Sequence, residues 1–202
     1  MKLYFAPNTR AVRSAWLMFE LGLDFELARF DKLGDPAMRA PEFLAISPNG
    51  RVPVLEDGEV RIFESAAIAE YLVARHGGGR LVPAASSPVF PDYLQWLHYG
   101  EGMIMGPMNN YVVETILLKP ERRSEEHATR ALRLMTRTVQ AVDTHMEGRA
   151  YLAGAFTAAD TITGHACLMC ERFGVDYSDM PHLKAYVDRL KERPALQKAL
   201  AL

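Results

Sequence analysis

The fold is decided by residues 47–63, which read SPNGRVPVLEDGEVRIF. Val52 to Glu56 predict a strand, Asp57-Gly58 predicts a tight turn, and Val60 to Phe63 predict the antiparallel return strand. Pro53 lies inside the first strand, although a residue without an N–H normally marks a strand edge or break. A cis bond between Pro53 and the preceding valine would remove this conflict. It would also turn the valine N–H and C=O outward, where an extended peptide could pair with them. A trans proline at the start of the strand is the commoner alternative.

The segments on either side extend this hairpin into a small α/β domain. Lys2 to Phe5 predict a strand, an amphipathic helix runs from Ala11 to Gly22, and Phe25 to Phe30 predict a second strand. The intervening helix makes these two strands parallel. A further helix, Glu64 to His76, follows the hairpin. The order βαβ–ββα over residues 1–76 predicts a mixed four-stranded sheet with helices on its faces.

The remainder of the chain predicts a different architecture. Residues 77–91 are rich in glycine, proline and serine, which is typical of a linker. No strand pattern follows, and residues 92–202 predict an all-α domain. Ser124 stands at one helix start, and Thr157 with Asp160 forms a capping-box-like pattern at another. The predicted helices are Tyr93 to Leu118, Ser124 to Met146, Thr157 to Phe173, Pro181 to Lys191, and a short one from Pro194.

Composition and charge exclude several classes of protein. The 202 residues are 49% hydrophobic and 24% charged, which is ordinary for a globular protein and excludes a disordered chain. A net charge of -2 gives no basic surface for nucleic acid. No apolar stretch approaches the ~20 residues of a membrane span. Charged residues interrupt the apolar runs near the N-terminus, so no secretory segment is predicted. We therefore expect a cytoplasmic protein with neither nucleic-acid nor membrane partners.

The cysteines and histidines predict neither disulfides nor a metal site. Cys167 and Cys170 lie one turn apart inside a predicted helix, where buried thiols are favoured over a redox pair. The six histidines show no metal-ligand spacing. No metal cofactor is expected.

Glu64-Ser65 places a carboxylate and a hydroxyl at the start of a predicted helix, beside its unpaired N–H groups. Ser65 and the backbone amides could bind a ligand carboxylate, and Glu64 could bind a neighbouring ammonium. Together they suit the zwitterionic end of an amino acid. Ordinary N-capping is the alternative.

Thr9, Arg10 and Arg13 lie where the first strand turns into the first helix. Cations there oppose the helix dipole, at a cost of about 0.3–1 kcal/mol per exposed charge, and a bound anion would offset it. Thr9 could donate a hydrogen bond to that anion. A hydrogen bond or salt bridge to the helical domain could instead occupy Arg13.

Taken together, these stretches resemble the cytosolic glutathione S-transferase family, in particular its bacterial, theta- and beta-like members. The resemblance covers both domains and rests on Ser47 to Leu55, Glu64 to Leu72, Tyr93 to Leu97, and Phe156 to Asp160. It implies a thioredoxin-like N-terminal domain, a helical C-terminal domain and a homodimer. The implied co-substrate is glutathione. The implied binding residues are Thr9, Arg10, Arg51, Val52, Pro53, Glu64 and Ser65, with the γ-glutamyl end at the last two.

The resemblance leaves the catalytic residue open. Theta- and delta-like members have a serine two residues after the proline, where this chain has Thr9. Beta-like members have a cysteine one residue further on, where this chain has Arg10. Thr9 keeps a hydroxyl and is the first choice, with Tyr4 and Arg10 as alternatives. A helix N-terminus, nearby cations and a hydroxyl donor would all favour the thiolate of glutathione.

The family also implies a second-substrate pocket in the helical domain. Met103, Pro107, Met108 and Tyr111 are the residues expected to line it, although core packing is the alternative for any single methionine. The implied activity is attack of the glutathione thiolate on a small apolar electrophile. Another glutathione-dependent reaction, such as peroxide reduction or isomerisation, or a non-catalytic binding protein, remains as the alternative.

Overall fold

The computed structural model describes all 202 residues, which form two compact units. The first unit comprises residues 1–82 and 191–202, and the second comprises residues 83–190. The elements of the chain, in order, are β1 Lys2–Phe5, α1 Ala11–Leu21, β2 Glu26–Arg29, α2 Pro41–Leu44, β3 Val54–Asp57, β4 Val60–Phe63, α3 Ser65–His76, α4 Phe90–Tyr99, α5 Met105–Val112, α6 Glu125–Met146, α7 His165–Arg172, α8 Pro181–Lys191 and α9 Pro194–Leu200.

The sheet of the first unit has the predicted mixed topology. Its strand order is β2-β1-β3-β4; β1 is parallel to β2 and antiparallel to β3, and β3 forms a hairpin with β4. Leu3 and Phe5 are buried on the face covered by α1 and α3. Tyr4 alternates with them, and its ring lies 5.6 Å from that of Phe43 in α2. This unit is the predicted α/β domain.

The last helix corrects the predicted domain boundary. Sequence analysis assigned residues 92–202 to the helical domain, but α9 packs on α1 in the first unit. Leu196 and Ala199 are fully buried there. Arg193, just before α9, donates two hydrogen bonds to the Glu20 carboxylate of α1, at 2.6 and 2.7 Å. The contact joins residues far apart in the chain, which local patterning cannot anticipate.

The helical unit contains a nearly continuous helix that combines α4, α5 and the residues around them. Gly100–Ile104 and Val113–Leu117 have π-helical geometry and extend it to Leu117, close to the prediction of Tyr93 to Leu118. Gly100 is required by close packing: a Cβ there would lie 2.8 Å from Oγ1 of Thr163. The Gly100 N–H instead donates to that oxygen at 2.8 Å.

The two predicted helix starts of this unit are confirmed. The Ser124 hydroxyl accepts the His127 N–H at 3.2 Å. Asp160 reaches back to the Thr157 N–H at 2.8 Å, as a capping box requires. Both cysteines are fully buried and neither forms a disulfide, as predicted. No helix of the chain combines the length and apolar character needed to cross a bilayer.

Candidate functional site

A cavity of about 110 Å³ opens in the first unit where α1, β3 and α3 begin. Six of the seven residues predicted to bind glutathione line this cavity, and Thr9 does not. Ser47, Asn49 and Phe63 complete the wall. The full lining is Arg10, Ser47, Asn49, Arg51, Val52, Pro53, Phe63, Glu64 and Ser65.

The Val52-Pro53 peptide bond is cis, which is the isomer that removes the conflict of a proline inside the strand. The ladder pairs of β3 begin at Val54, and no turn or loop hydrogen bond uses the backbone of Val52. Val52 itself is 8% exposed. Its backbone N–H and C=O are therefore available to an extended ligand at the cavity.

The start of α3 leaves hydrogen-bond donors at the same cavity. Ser65 is 4% exposed, and its hydroxyl has no partner within the chain. The first hydrogen bond of the helix runs from the Ile68 N–H to the Glu64 carbonyl at 2.9 Å. The N–H groups of the three preceding residues therefore have no acceptor within the helix. This open helix N-terminus is a natural binding place for a carboxylate.

Glu64 holds a backbone conformation that side chains rarely adopt, with φ 76° and ψ 120°. Such a geometry costs about 1–3 kcal/mol and persists only where the surroundings impose it. The exposed carboxylate lies at the mouth of the cavity beside Ser65. Glu64 therefore combines a strained backbone with a position at the mouth of the cavity.

The loop before the cis proline is held by Ser47, which the sequence analysis did not assign to the site. Its buried hydroxyl donates to the Arg51 carbonyl at 2.8 Å and accepts the Arg51 N–H at 3.0 Å. This clamp leaves the exposed Arg51 side chain at the cavity. Ser47, Asn49 and Phe63 all lie within residues 47–63, but nothing in their local sequence distinguishes them from their neighbours.

Thr9 is placed differently from the expectation. Its hydroxyl donates to the Ala6 carbonyl at 2.7 Å and accepts the Ala11 N–H at 3.2 Å. A hydroxyl has one proton to donate, and here that proton is engaged in the turn between β1 and α1. Thr9 is 8% exposed and lies outside the cavity lining, so in this geometry it caps the turn.

The first amides of α1 are also satisfied within the chain. The Ala11 N–H is bonded to Thr9 Oγ1, the Val12 N–H to the Thr9 carbonyl at 3.2 Å, and the Arg13 N–H to the Arg10 carbonyl at 3.1 Å. The N-terminus of α1 therefore offers fewer amides than that of α3. Arg13 is fully buried, whereas Arg10 lines the cavity.

Tyr4, the other candidate hydroxyl, also has an internal partner. Its phenol donates to Glu56 Oε2 at 3.1 Å. Burial, followed by this carboxylate, raises the pKa of Tyr4. The phenol therefore stays protonated, and Tyr4 does not line the cavity.

The residues expected at a second-substrate pocket divide into two groups. Met103 is 51% exposed, and Pro107 and Tyr111 are half-buried, at four-residue intervals along one helix face. Met108 is 1% exposed and lies in the core, so the structure does not present it to a ligand. No group of three or more His, Cys, Asp or Glu side chains is arranged to hold a metal ion.

Comparison with known proteins identifies the family. Residues 1–74 match the glutathione S-transferase N-terminal domain, and residues 108–194 match its C-terminal domain. Glutathione S-transferase 3 of Zea mays is 33% identical over 218 residues, covering 100% of this chain and 93% of that protein. The chain therefore belongs to the glutathione S-transferase family, and its first unit is the thioredoxin-like domain of that fold.

Solved structures agree with this assignment. A glutathione S-transferase of a sphingomonad, complexed with glutathione, superposes with a TM-score of 0.84 and is 26% identical, with 100% of this chain and 98% of that one covered. Relatives also include a probable elongation factor 1-gamma 2 of Arabidopsis thaliana, 30% identical over 197 residues. That match covers 94% of this chain and 45% of the Arabidopsis protein.

Proposed function

We propose that this protein is a cytoplasmic glutathione transferase that joins the glutathione thiolate to small apolar electrophiles. One observation carries the proposal: the cavity gathers the Val52-Pro53 peptide, the open N-terminus of α3 and two arginines in one place. Family membership supports glutathione as the ligand, and a sphingomonad relative has been solved with glutathione bound.

Each part of glutathione has a chemical counterpart in the cavity. The Ser65 hydroxyl and the adjacent amides of α3 receive the γ-glutamyl carboxylate. Glu64 pairs with the neighbouring ammonium. The backbone of Val52 pairs with the cysteinyl residue in the manner of an added β-strand. Arg51 contributes a cation for the remaining carboxylate of the tripeptide.

The reaction requires little covalent participation by the protein. The thiol loses its proton to solvent, and a sulfur lone pair forms the new S–C bond. In a substitution the leaving group departs with the electron pair of its bond to carbon. The protein stabilises the thiolate and positions the electrophile. The face with Met103, Pro107 and Tyr111 is the proposed apolar surface for that electrophile.

Isothermal titration calorimetry with glutathione tests the binding assignment. Ser65→Ala and Glu64→Gln should each lower affinity about tenfold or more, because each removes a charge-assisted contact worth ~1.5–3 kcal/mol. Ser86→Ala and Glu59→Gln are matched controls at exposed positions and should bind as the wild type does. Unchanged affinity in both site variants would refute the assignment.

Conjugation is measured separately with 1-chloro-2,4-dinitrobenzene, whose glutathione product absorbs light. Wild-type protein should form this product faster than glutathione in buffer. Glutathione binding without conjugation, but with peroxide reduction or isomerisation, would select the other catalytic alternatives.

A second candidate function is a non-catalytic glutathione-binding or interaction protein. Two observations favour it: the internally bonded Thr9 hydroxyl, and the match to elongation factor 1-gamma proteins. Retained glutathione affinity with no turnover of any of these substrates would support this candidate over the transferase.

We also propose a homodimer related by two-fold symmetry, in which the N-terminal domain of one protomer faces the C-terminal domain of the other. The solvent-facing side of α6 is an open surface that includes Arg133 and Arg137. Exposed Leu94 adds apolar surface in the same unit. These features support a contact with a second copy.

A further inference from the structure

We infer that Ser47 is a positioning residue for the ligand: its hydroxyl occupies the backbone of Arg51, so that an extended ligand pairs at Val52 and not at Arg51. The inference rests on the proposed glutathione binding. Ser47 contacts no reacting atom in this assignment, and it acts only through the backbone of the loop that it closes.

The Ser47 side chain binds both backbone polar groups of Arg51. Its hydroxyl donates to the Arg51 carbonyl at 2.8 Å and accepts the Arg51 N–H at 3.0 Å. A partner strand would bind the same two groups, because opposed residues in a hydrogen-bonded antiparallel pair exchange both bonds. Ser47 therefore takes the place of a partner at Arg51, and a ligand cannot pair there without displacing its hydroxyl.

The residues after Arg51 leave one position for pairing. No turn or loop hydrogen bond uses the backbone of Val52, and the strand pairs begin only at Val54. Pro53, between them, has no N–H to donate. Of Arg51, Val52 and Pro53, only Val52 can offer both an N–H and a C=O to a ligand. Since a shift of one residue turns side chains to the opposite face, this restriction fixes the register of the bound ligand.

Ser47 is itself anchored to the core of the first unit. It is 3% exposed, and its backbone N–H donates to the Phe43 carbonyl of α2 at 2.7 Å. Phe43 is buried, and its ring lies 4.7 Å from that of Phe30 and 5.6 Å from that of Tyr4 in β1. The hydroxyl that holds Arg51 is therefore fixed with respect to the sheet.

Removal of this hydroxyl should loosen the loop in the free protein. The Gly50 N–H would still donate to the Ser47 carbonyl, and Arg39 would still donate to the Asn49 carbonyl, but neither bond reaches Arg51. Arg51 could then adopt conformations that turn the next residue away from the cavity. If the conformation that binds the ligand falls to about a tenth of the population, the apparent affinity falls about tenfold.

Amide hydrogen exchange of the wild-type protein, followed by NMR, tests the arrangement directly. The Arg51 N–H should be protected before glutathione is added, because Ser47 already binds it. The Val52 N–H should exchange freely in the unliganded protein and become protected when glutathione binds. Protection of the Arg51 N–H that appears only with glutathione would overturn the inference.

Isothermal titration calorimetry with glutathione tests the role of the hydroxyl. Ser47→Ala should bind about tenfold more weakly than wild type. Ser124→Ala is the matched control, because it removes a hydroxyl that caps α6 and should lower stability while leaving glutathione affinity unchanged. Failure of wild type to bind glutathione would overturn the proposed function and this inference with it. Normal binding by wild type, with unchanged affinity in Ser47→Ala, would overturn the inference alone.

Discussion

The hydroxyl of Thr9 donates its proton to the carbonyl of Ala6 across 2.7 Å, inside the turn that joins β1 to α1. The same oxygen accepts the Ala11 N–H, so the side chain ties both ends of the turn together. This arrangement gives Thr9 a structural role that its sequence position did not reveal.

Thr9→Val should therefore lower the free energy of unfolding by about 0.5–2 kcal/mol, the usual cost of losing a capping side chain. Equilibrium urea denaturation measures it. Thr9→Ser keeps the same hydrogen bonds and should stay close to wild type. The thiol pKa of bound glutathione should change little in Thr9→Val. A rise of a unit or more, with stability unaffected, would return the catalytic role to Thr9.

Glu64 should show a conflict between stability and binding. Replacing it with glycine removes the side chain that makes a φ of 76° unfavourable, whereas glutamine keeps the strained backbone. Glu64→Gly should therefore be more stable than Glu64→Gln, by roughly 1 kcal/mol once the extra freedom of unfolded glycine is included. Both variants should lose glutathione affinity. If the two variants are equally stable in thermal unfolding, the backbone at position 64 must be able to relax even without glycine.

Asp160 should make stability depend on pH. Its carboxylate is fully buried and accepts hydrogen bonds from Leu152, Thr157 and Tyr186. Burial raises the pKa of Asp160 from 3.8 to about 6, although these hydrogen bonds oppose the shift. The folded state therefore holds the proton more tightly than the unfolded state does. Between pH 4 and 6, this group's contribution to stability should fall as pH rises.

The matched measurement compares wild type with Asp160→Asn, which cannot titrate. Asp160→Asn should be less stable than wild type at every pH from 4 to 7. The NH2 group of the asparagine would face N–H groups whose hydrogen bonds the carboxylate accepts in wild type. The stability gap between the two proteins should narrow from pH 4 to pH 7 in urea denaturation. A gap that widens instead would show that the hydrogen bonds, not burial, determine the pKa of Asp160.

The proposed homodimer should have twice the chain mass of 22.6 kDa in light scattering at micromolar concentration. Arg137→Glu reverses a charge on the solvent-facing surface of α6 and should shift the protein toward the monomer. Arg122→Glu makes the same reversal at an exposed site outside α6 and should leave the mass unchanged. A monomeric wild type would exclude the dimer, and equal behaviour of the two variants would exclude the α6 contact.

Local sequence patterns determined most of the secondary structure. The hairpin of β3 and β4 follows from Asp57-Gly58, where Gly58 adopts the required positive φ of 59°. Gly22 ends α1 in the left-handed conformation, and Ser124 caps α6. These features depend on residues within a few positions of one another, so their chemistry is visible in the chain itself. Residues of the motif around Val52-Pro53 also line the candidate cavity.

The tertiary structure alone decided which hydroxyl groups of the candidate site have no hydrogen-bond partner within the chain. Thr9 and Ser65 both present a hydroxyl at a helix start, yet the first is bonded within its turn and the second is left open to the cavity. It also placed α9 on α1 through Glu20 and Arg193, residues separated by 173 positions. Sequence specifies which donors and charges exist, but their partners depend on rotamers and distant contacts that form only when the chain packs.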